Sequence, residues 1–155
     1  MFRFIPRFAA ILLMVVAGAA VSADAGPRHF NASGEGRVDG HGSTLFGKGK
    51  ATHLGRSAFV VSYFDDGFLD FGIFLPAGGF LTSANGDELD FHFEKDTYVF
   101  DPEIGVVSAT VTFTGGTGRF AGATGSADVT FLFVTGSDGY HFTNFGFLID
   151  GSIDY

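Results

Sequence analysis

Three groups of residues have types and spacings that chemistry could use, and the richest is the connection 115–125, GGTGRFAGATG, with Arg119 and Phe120 at its centre. Glycine-rich loops cradle phosphates when their amides crown a helix and a Lys-Ser or Lys-Thr pair closes the motif. Neither condition holds, because no lysine follows and the residues after Gly125 alternate as a strand. The connection reads instead as a structured loop whose glycines take positive φ, with Phe120 plugging the end of the fold. Arg119 is then expected to bond backbone carbonyls or a carboxylate.

Asp90, His92 and Glu94 form the second group. Carboxylates and imidazole bind metals, but residues at i, i+2 and i+4 of a strand stand about 7 Å apart and cannot meet at one ion. They read as a solvated face, and no metal site is expected. His53 is the third. It shares a phase with Leu45, Gly47, Gly49 and Ala51, the phase expected to face inward. With Arg56, Tyr63 or Asn144 beside it, it would make a polar spot in an apolar lumen, suited to orienting a ligand or moving a proton. The competing reading is a rim histidine satisfied by hydrogen bonds. There is no cysteine and no G-x-S-x-G motif, so no catalytic residue and no cofactor is assigned.

The elements that must position these residues are strands. Val107, Ala109, Val111 and Phe113 alternate with Ser108, Thr110, Thr112 and Thr114, and Ala127, Val129, Phe131 and Phe133 share a face beyond the loop. A period of two is the signature of a half-buried strand. The same pattern predicts strands over 30–38, 43–54, 56–64, 80–84, 88–99 and 140–153. Asp65-Asp66-Gly67 and Asn85-Gly86 are the turn signals, and 135–139 closes another hairpin. Residues 68–75 read as a buried strand or a loop wrapping the core. Lys48 and Lys50 should face solvent, leaving Gly47 and Gly49 inside. Phe91 and Phe93, Phe131 and Phe133, and Phe145 and Phe147 all fall on inward phases. Seven or eight strands with dense glycine turns argue an all-β antiparallel barrel, whose closure removes exposed edges.

Composition sets the compartment. Arg3 and Arg7 precede an apolar run, 8–21, and small residues end at Ala23 and Ala25. That predicts a signal peptide over 1–25 and a single domain over 26–155, secreted or periplasmic. The run is shorter than the ~20 residues a spanning helix needs, so no stable membrane insertion is expected after cleavage. The chain carries a net charge of −8, and loss of Arg3, Arg7 and Asp24 leaves seven cations against sixteen carboxylates. Such a balance disfavours nucleic acid as a partner. Phenylalanine is in excess, 21 in all and no tryptophan, so rings either pack unusually densely or line a cavity.

The segments 51–55 (ATHLG), 82–89 (TSANGDEL) and 113–126 (FTGGTGRFAGATGS) resemble those of secreted bacterial proteins in the allene oxide cyclase-like barrel group. The resemblance runs over residues 30–153. It implies an eight-stranded antiparallel barrel related in shape to plant allene oxide cyclases and dirigent proteins. The plant enzymes' catalytic residues find no counterparts that can be placed on this chain, so the resemblance speaks to fold more than to activity.

Three functional readings follow. The first is a non-enzymatic secreted barrel binding a small apolar ligand or a protein partner, with His53, Arg56, Phe91, Phe93, Phe131, Phe133, Phe145 and Phe147 around the ligand. The second is a cofactor-independent cyclase or isomerase acting on a hydrophobic substrate in the lumen. The third is a packed structural or interaction domain. Oligomerisation is left open by the sequence.

Overall fold

Alternating sequences of this kind form long antiparallel strands, and the computed structural model has nine among the residues it describes. These are 26–39, 44–68, 74–101, 103–136 and 142–155, side chains at 63–68 and 74–76 excepted. The strands are β1 (Arg28–Val38), β2 (Thr44–Ala51), β3 (Gly55–Phe68), β4 (Phe74–Ser83), β5 (Glu88–Phe93), β6 (Val99–Asp101), β7 (Val106–Gly116), β8 (Thr124–Thr135) and β9 (Phe142–Asp154). The expected signal peptide, 1–25, lies outside the described residues.

The sheet runs β5-β4-β3-β2-β1-β9-β8-β7, and β5 pairs back onto β7 through Phe91↔Phe113 and Phe93↔Val111. Eight antiparallel strands thereby close into the barrel the sequence predicts. β6 continues along the same edge of β7 where β5 leaves it, with Val99 opposite Ser108. The expected arm over 88–99 is therefore interrupted at Phe93 by a 3-10 turn, Lys95–Thr97. A side chain does the interrupting. The Thr97 hydroxyl accepts from the Thr110 amide at 2.8 Å and donates to the Glu94 carbonyl at 2.7 Å. It takes a place in the ladder that a backbone group would otherwise fill.

Three other boundaries differ from expectation: the strand expected over 80–84 begins at Phe74 and runs through Pro76, and two more follow. Asp65-Asp66-Gly67 does not turn the chain, because β3 continues to Phe68. The pairing jumps from Tyr63↔Pro76 to Phe68↔Phe74, so the extra residues sit in a bulge. The second strand stops at Ala51 rather than Leu54. There the Thr52 hydroxyl accepts from the Asn31 amide at 2.7 Å, and the chain turns over Thr52, His53 and Leu54.

Inside the barrel, glycine and phenylalanine are matched by register. Gly34 and Gly36 on β1 face Gly49 and Gly47 on β2, and on the other side pair with Phe147 and Phe145 of β9. A Cβ on Gly34 would lie 2.7 Å from Phe147 Cε1, and one on Gly36 2.5 Å from Phe145 Cζ. The rings therefore occupy the space that the missing side chains leave. This stripe is the glycine-bearing inward phase of β2 met by the same phase of β1. Lys48 and Lys50 point outward, as their phase predicts.

Candidate functional site

Phe59 sits at the centre of the lumen. It projects from β3 and is 1% exposed. Its ring stacks on Phe147 with centroids 4.4 Å apart and planes 16° apart, and on Phe91 at 5.9 Å. Phe131 at 6.0 Å and Phe145 at 6.2 Å complete the shell. β9 is separated from β3 by two whole strands, so these contacts cross the barrel interior. Phe93 packs on Phe91 and Phe131, and Phe133 on Phe131 and Phe145. The structure thus brings all six phenylalanines singled out in the sequence into one lumen, five of them buried and Phe133 partly so. Phe59, the ring that joins them, was missed. Its alternation with Ala58 and Val60 gives its face but not its central position.

The two polar residues expected beside these rings are not in the lumen. His53 belongs to the turn that ends β2, with φ +70°, and its Nε2 lies 3.0 Å from the His29 carbonyl oxygen. Its ring meets Tyr155 edge-on at 5.6 Å. The strand phase used to place it inward ended two residues earlier, at Ala51. It is a rim histidine. Arg56 is exposed and points outward from β3, and Asn144 is exposed at the opposite end of the barrel. The side chain of Tyr63 lies outside the described residues. No polar cluster of His53, Arg56 and Asn144 therefore forms.

One end of the barrel is sealed, and the segments 51–55, 82–89 and 113–126 meet there. Phe120 is fully buried in a 3-10 turn, Gly118–Phe120, under Tyr155 at 4.9 Å. Arg119 Nε lies 3.3 Å from Asp87 Oδ2, the carboxylate partner its loop reading requires. Gly118 seats that carboxylate: its φ is +56°, and an added Cβ would lie 2.0 Å from Asp87 Oδ1. The Thr117 amide donates to the Glu88 carbonyl and the Glu88 amide to the Thr117 hydroxyl, both at 2.9 Å. Arg28 lies over the Tyr155 ring at 4.9 Å. What the three segments encode is a cap.

On the outer wall, Asp90, His92 and Glu94 face away from the lumen, and no group of three metal-ligating side chains occurs among the described residues. The Thr112 hydroxyl donates to Glu94 Oε1 at 2.6 Å, and His92 Nε2 stands 2.9 Å from the same oxygen. The Thr112 bond foremost, with the charge on His92 and against some desolvation, holds the Glu94 carboxyl below its ordinary value of 4.5. A carboxyl depressed on folding stabilises above its unfolded pKa, and that contribution is lost as pH falls through the folded value. Thr112→Val should therefore flatten the acid limb of a midpoint-versus-pH curve below about 4.5, without altering the plateau's slope above it. Superimposable limbs would show that the hydroxyl does not set the shift.

A second feature of the wall was only half visible in the sequence. Outward residues align across β1, β2 and β3 in three rows: Ser33-Lys50-Arg56, Glu35-Lys48-Ala58 and Arg37-Phe46-Val60. A hollow of about 870 Å³ lies over the first two rows and reaches Thr82 on β4. A second, about 700 Å³, runs past Arg37 and Phe46 to Asn144. Both include Glu35 and Lys48 in their linings, so the two adjoin at that pair and make a two-part trough on the outside of the glycine-lined wall. Four of the seven cations beyond residue 25 line it, with Glu35 as the one carboxylate. The outward lysines were legible, but the facing of Lys50 and Arg56 needed the β2–β3 register. A hairpin turn placed at 52–54 would have supplied it.

No protein-family model matches this chain, and no curated protein and no solved structure matches it either.

Proposed function

We propose that the protein is a non-enzymatic, exported binding barrel that works through its outer wall, its aromatic interior serving as packed core. The observation that carries this reading is Phe59 in contact with Phe91, Phe131, Phe145 and Phe147 across the barrel. An eight-stranded barrel is just wide enough for side chains to fill, and centroid separations of 4.5–7 Å are those of packed aromatic pairs. An apolar ligand in the lumen, or a hydrophobic substrate for a cyclase, would need the volume these rings occupy. Export rests on the charged and apolar leader, 1–25, and places the barrel in the periplasm or the medium. Kinship with the allene oxide cyclase-like group rests on the three capping segments, and closure of eight strands agrees with it.

The test is an apolar dye or fatty acid titrated onto the native protein. No saturable signal and no rise in Tm at saturating ligand are expected, because a ligand that binds only the native state must raise it. Phe131→Ala should lose stability rather than change an affinity. Saturable binding that raises Tm would return the function to the lumen.

A further inference from the structure

We infer that the trough on the outer faces of β1–β4, extending to β9, is a binding site for a carboxylated polysaccharide, an extended chain of uronic-acid type. The inference rests on the outer-wall reading above. Three observations carry it.

The first is a reversal of charge. The chain is strongly acidic, yet this face holds Arg37, Lys48, Lys50 and Arg56. Among the described residues no carboxylate lies within ion-pairing range of Arg37, Lys50 or Arg56. Lys48 reaches Glu35 only at 3.9 Å, with both side chains about four-fifths exposed, a pair worth little in water. The second is register. Lys50 and Arg56 stand directly opposite each other. Like charges facing across a strand pair are destabilising, and an anion bridging them removes that cost. The third is shape. The cations lie along two adjoining hollows, with the hydroxyls of Ser33 and Thr82 in the first and Phe46, 53% exposed, in the second.

Those features select the ligand's chemistry. Residues two apart on a strand are about 7 Å apart, so Lys48 and Lys50 present charges at intervals, not as one dense cluster. Arg37 and Arg56 offer planar forks that match a carboxylate with two parallel hydrogen bonds. Hydroxyls and an exposed ring suit sugar hydroxyls and a sugar face. Glu35 in mid-trough and the negative field of the whole chain oppose a polymer of high charge density such as a nucleic acid. A polymer with one carboxylate per ring can straddle Glu35.

Binding of polygalacturonate to the full-length mature protein tests this. Wild type should bind at about 0.01 M salt and weaken markedly by about 0.15 M, where exposed charges are screened. Lys50→Glu with Arg56→Glu should weaken binding at least tenfold with the circular dichroism spectrum unchanged, and Lys50→Gln with Arg56→Gln should weaken it less. Lys95→Glu, a charge reversal away from the trough, should leave it within twofold. Absence of binding at low salt, equal loss in the Lys95 variant, or tighter binding of a single-stranded oligonucleotide or heparin would overturn the assignment. Failure here with no dye uptake by the lumen would remove this ligand alone, whereas saturable dye binding would remove the outer-wall reading beneath it.

Discussion

Phe59→Ala is expected to lower the unfolding free energy by about 3–5 kcal/mol, the range for a buried phenylalanine whose cavity cannot collapse. The site has little freedom to close. Phe59 is held by rings from β5, β8 and β9, each anchored in its own ladder on a different part of the barrel wall. Backbone hydrogen bonding fixes the circumference of a closed barrel, so the wall cannot move in to fill the void. Since a small domain has only about 5–15 kcal/mol in all, the variant should sit near the edge of folding at 37 °C. A denaturant titration reads the change as a shifted midpoint at constant m. A loss near 1 kcal/mol would mean that the neighbouring rings repack, and the rigid aromatic core on which the outer-wall reading stands would be discarded.

Gly34→Val should be as damaging for the opposite reason. Even the first carbon added at Gly34 would lie 2.2 Å from the Lys48 carbonyl oxygen and 2.7 Å from the Phe147 ring. The first obstacle is backbone, which yields only if β1 and β2 separate, and the second is the ring stacked on Phe59. Overpacking typically costs about 1–3 kcal/mol, and more where backbone must shift. We expect the upper end of that range or beyond, read as loss of soluble folded protein or a lowered midpoint. Gly146→Ala is the internal comparison. Its Cβ would meet only the Gly34 carbonyl oxygen at 3.8 Å, an ordinary contact, so a change under about 0.5 kcal/mol is expected.

The sequence by itself determined the all-β class, the barrel, and the facing of nearly every strand it recognised. Alternation has a period of two, and burial of one face punishes a one-residue slip, so Leu89, Phe91 and Phe93 on one side and Asp90, His92 and Glu94 on the other followed directly. The plug at Phe120 and a carboxylate for Arg119 were also legible, since a glycine-rich loop between strands must bury its one large apolar residue. Boundaries were not, because side chains set them: the Thr97 and Thr52 hydroxyls take over backbone positions, and hydroxyl substitution leaves no mark on hydrophobic periodicity. His53 was misplaced for that reason, two residues past the end of its strand. Only the tertiary structure decided what the phenylalanines do. Phase tells which way a ring points, but whether opposing rings meet depends on what the wall between them lacks. Here Gly34, Gly36 and Gly47 let rings from β9 reach Phe59. The outer trough is the same kind of fact, since the facing of Lys50 with Arg56 belongs to the β2–β3 register and not to either strand alone.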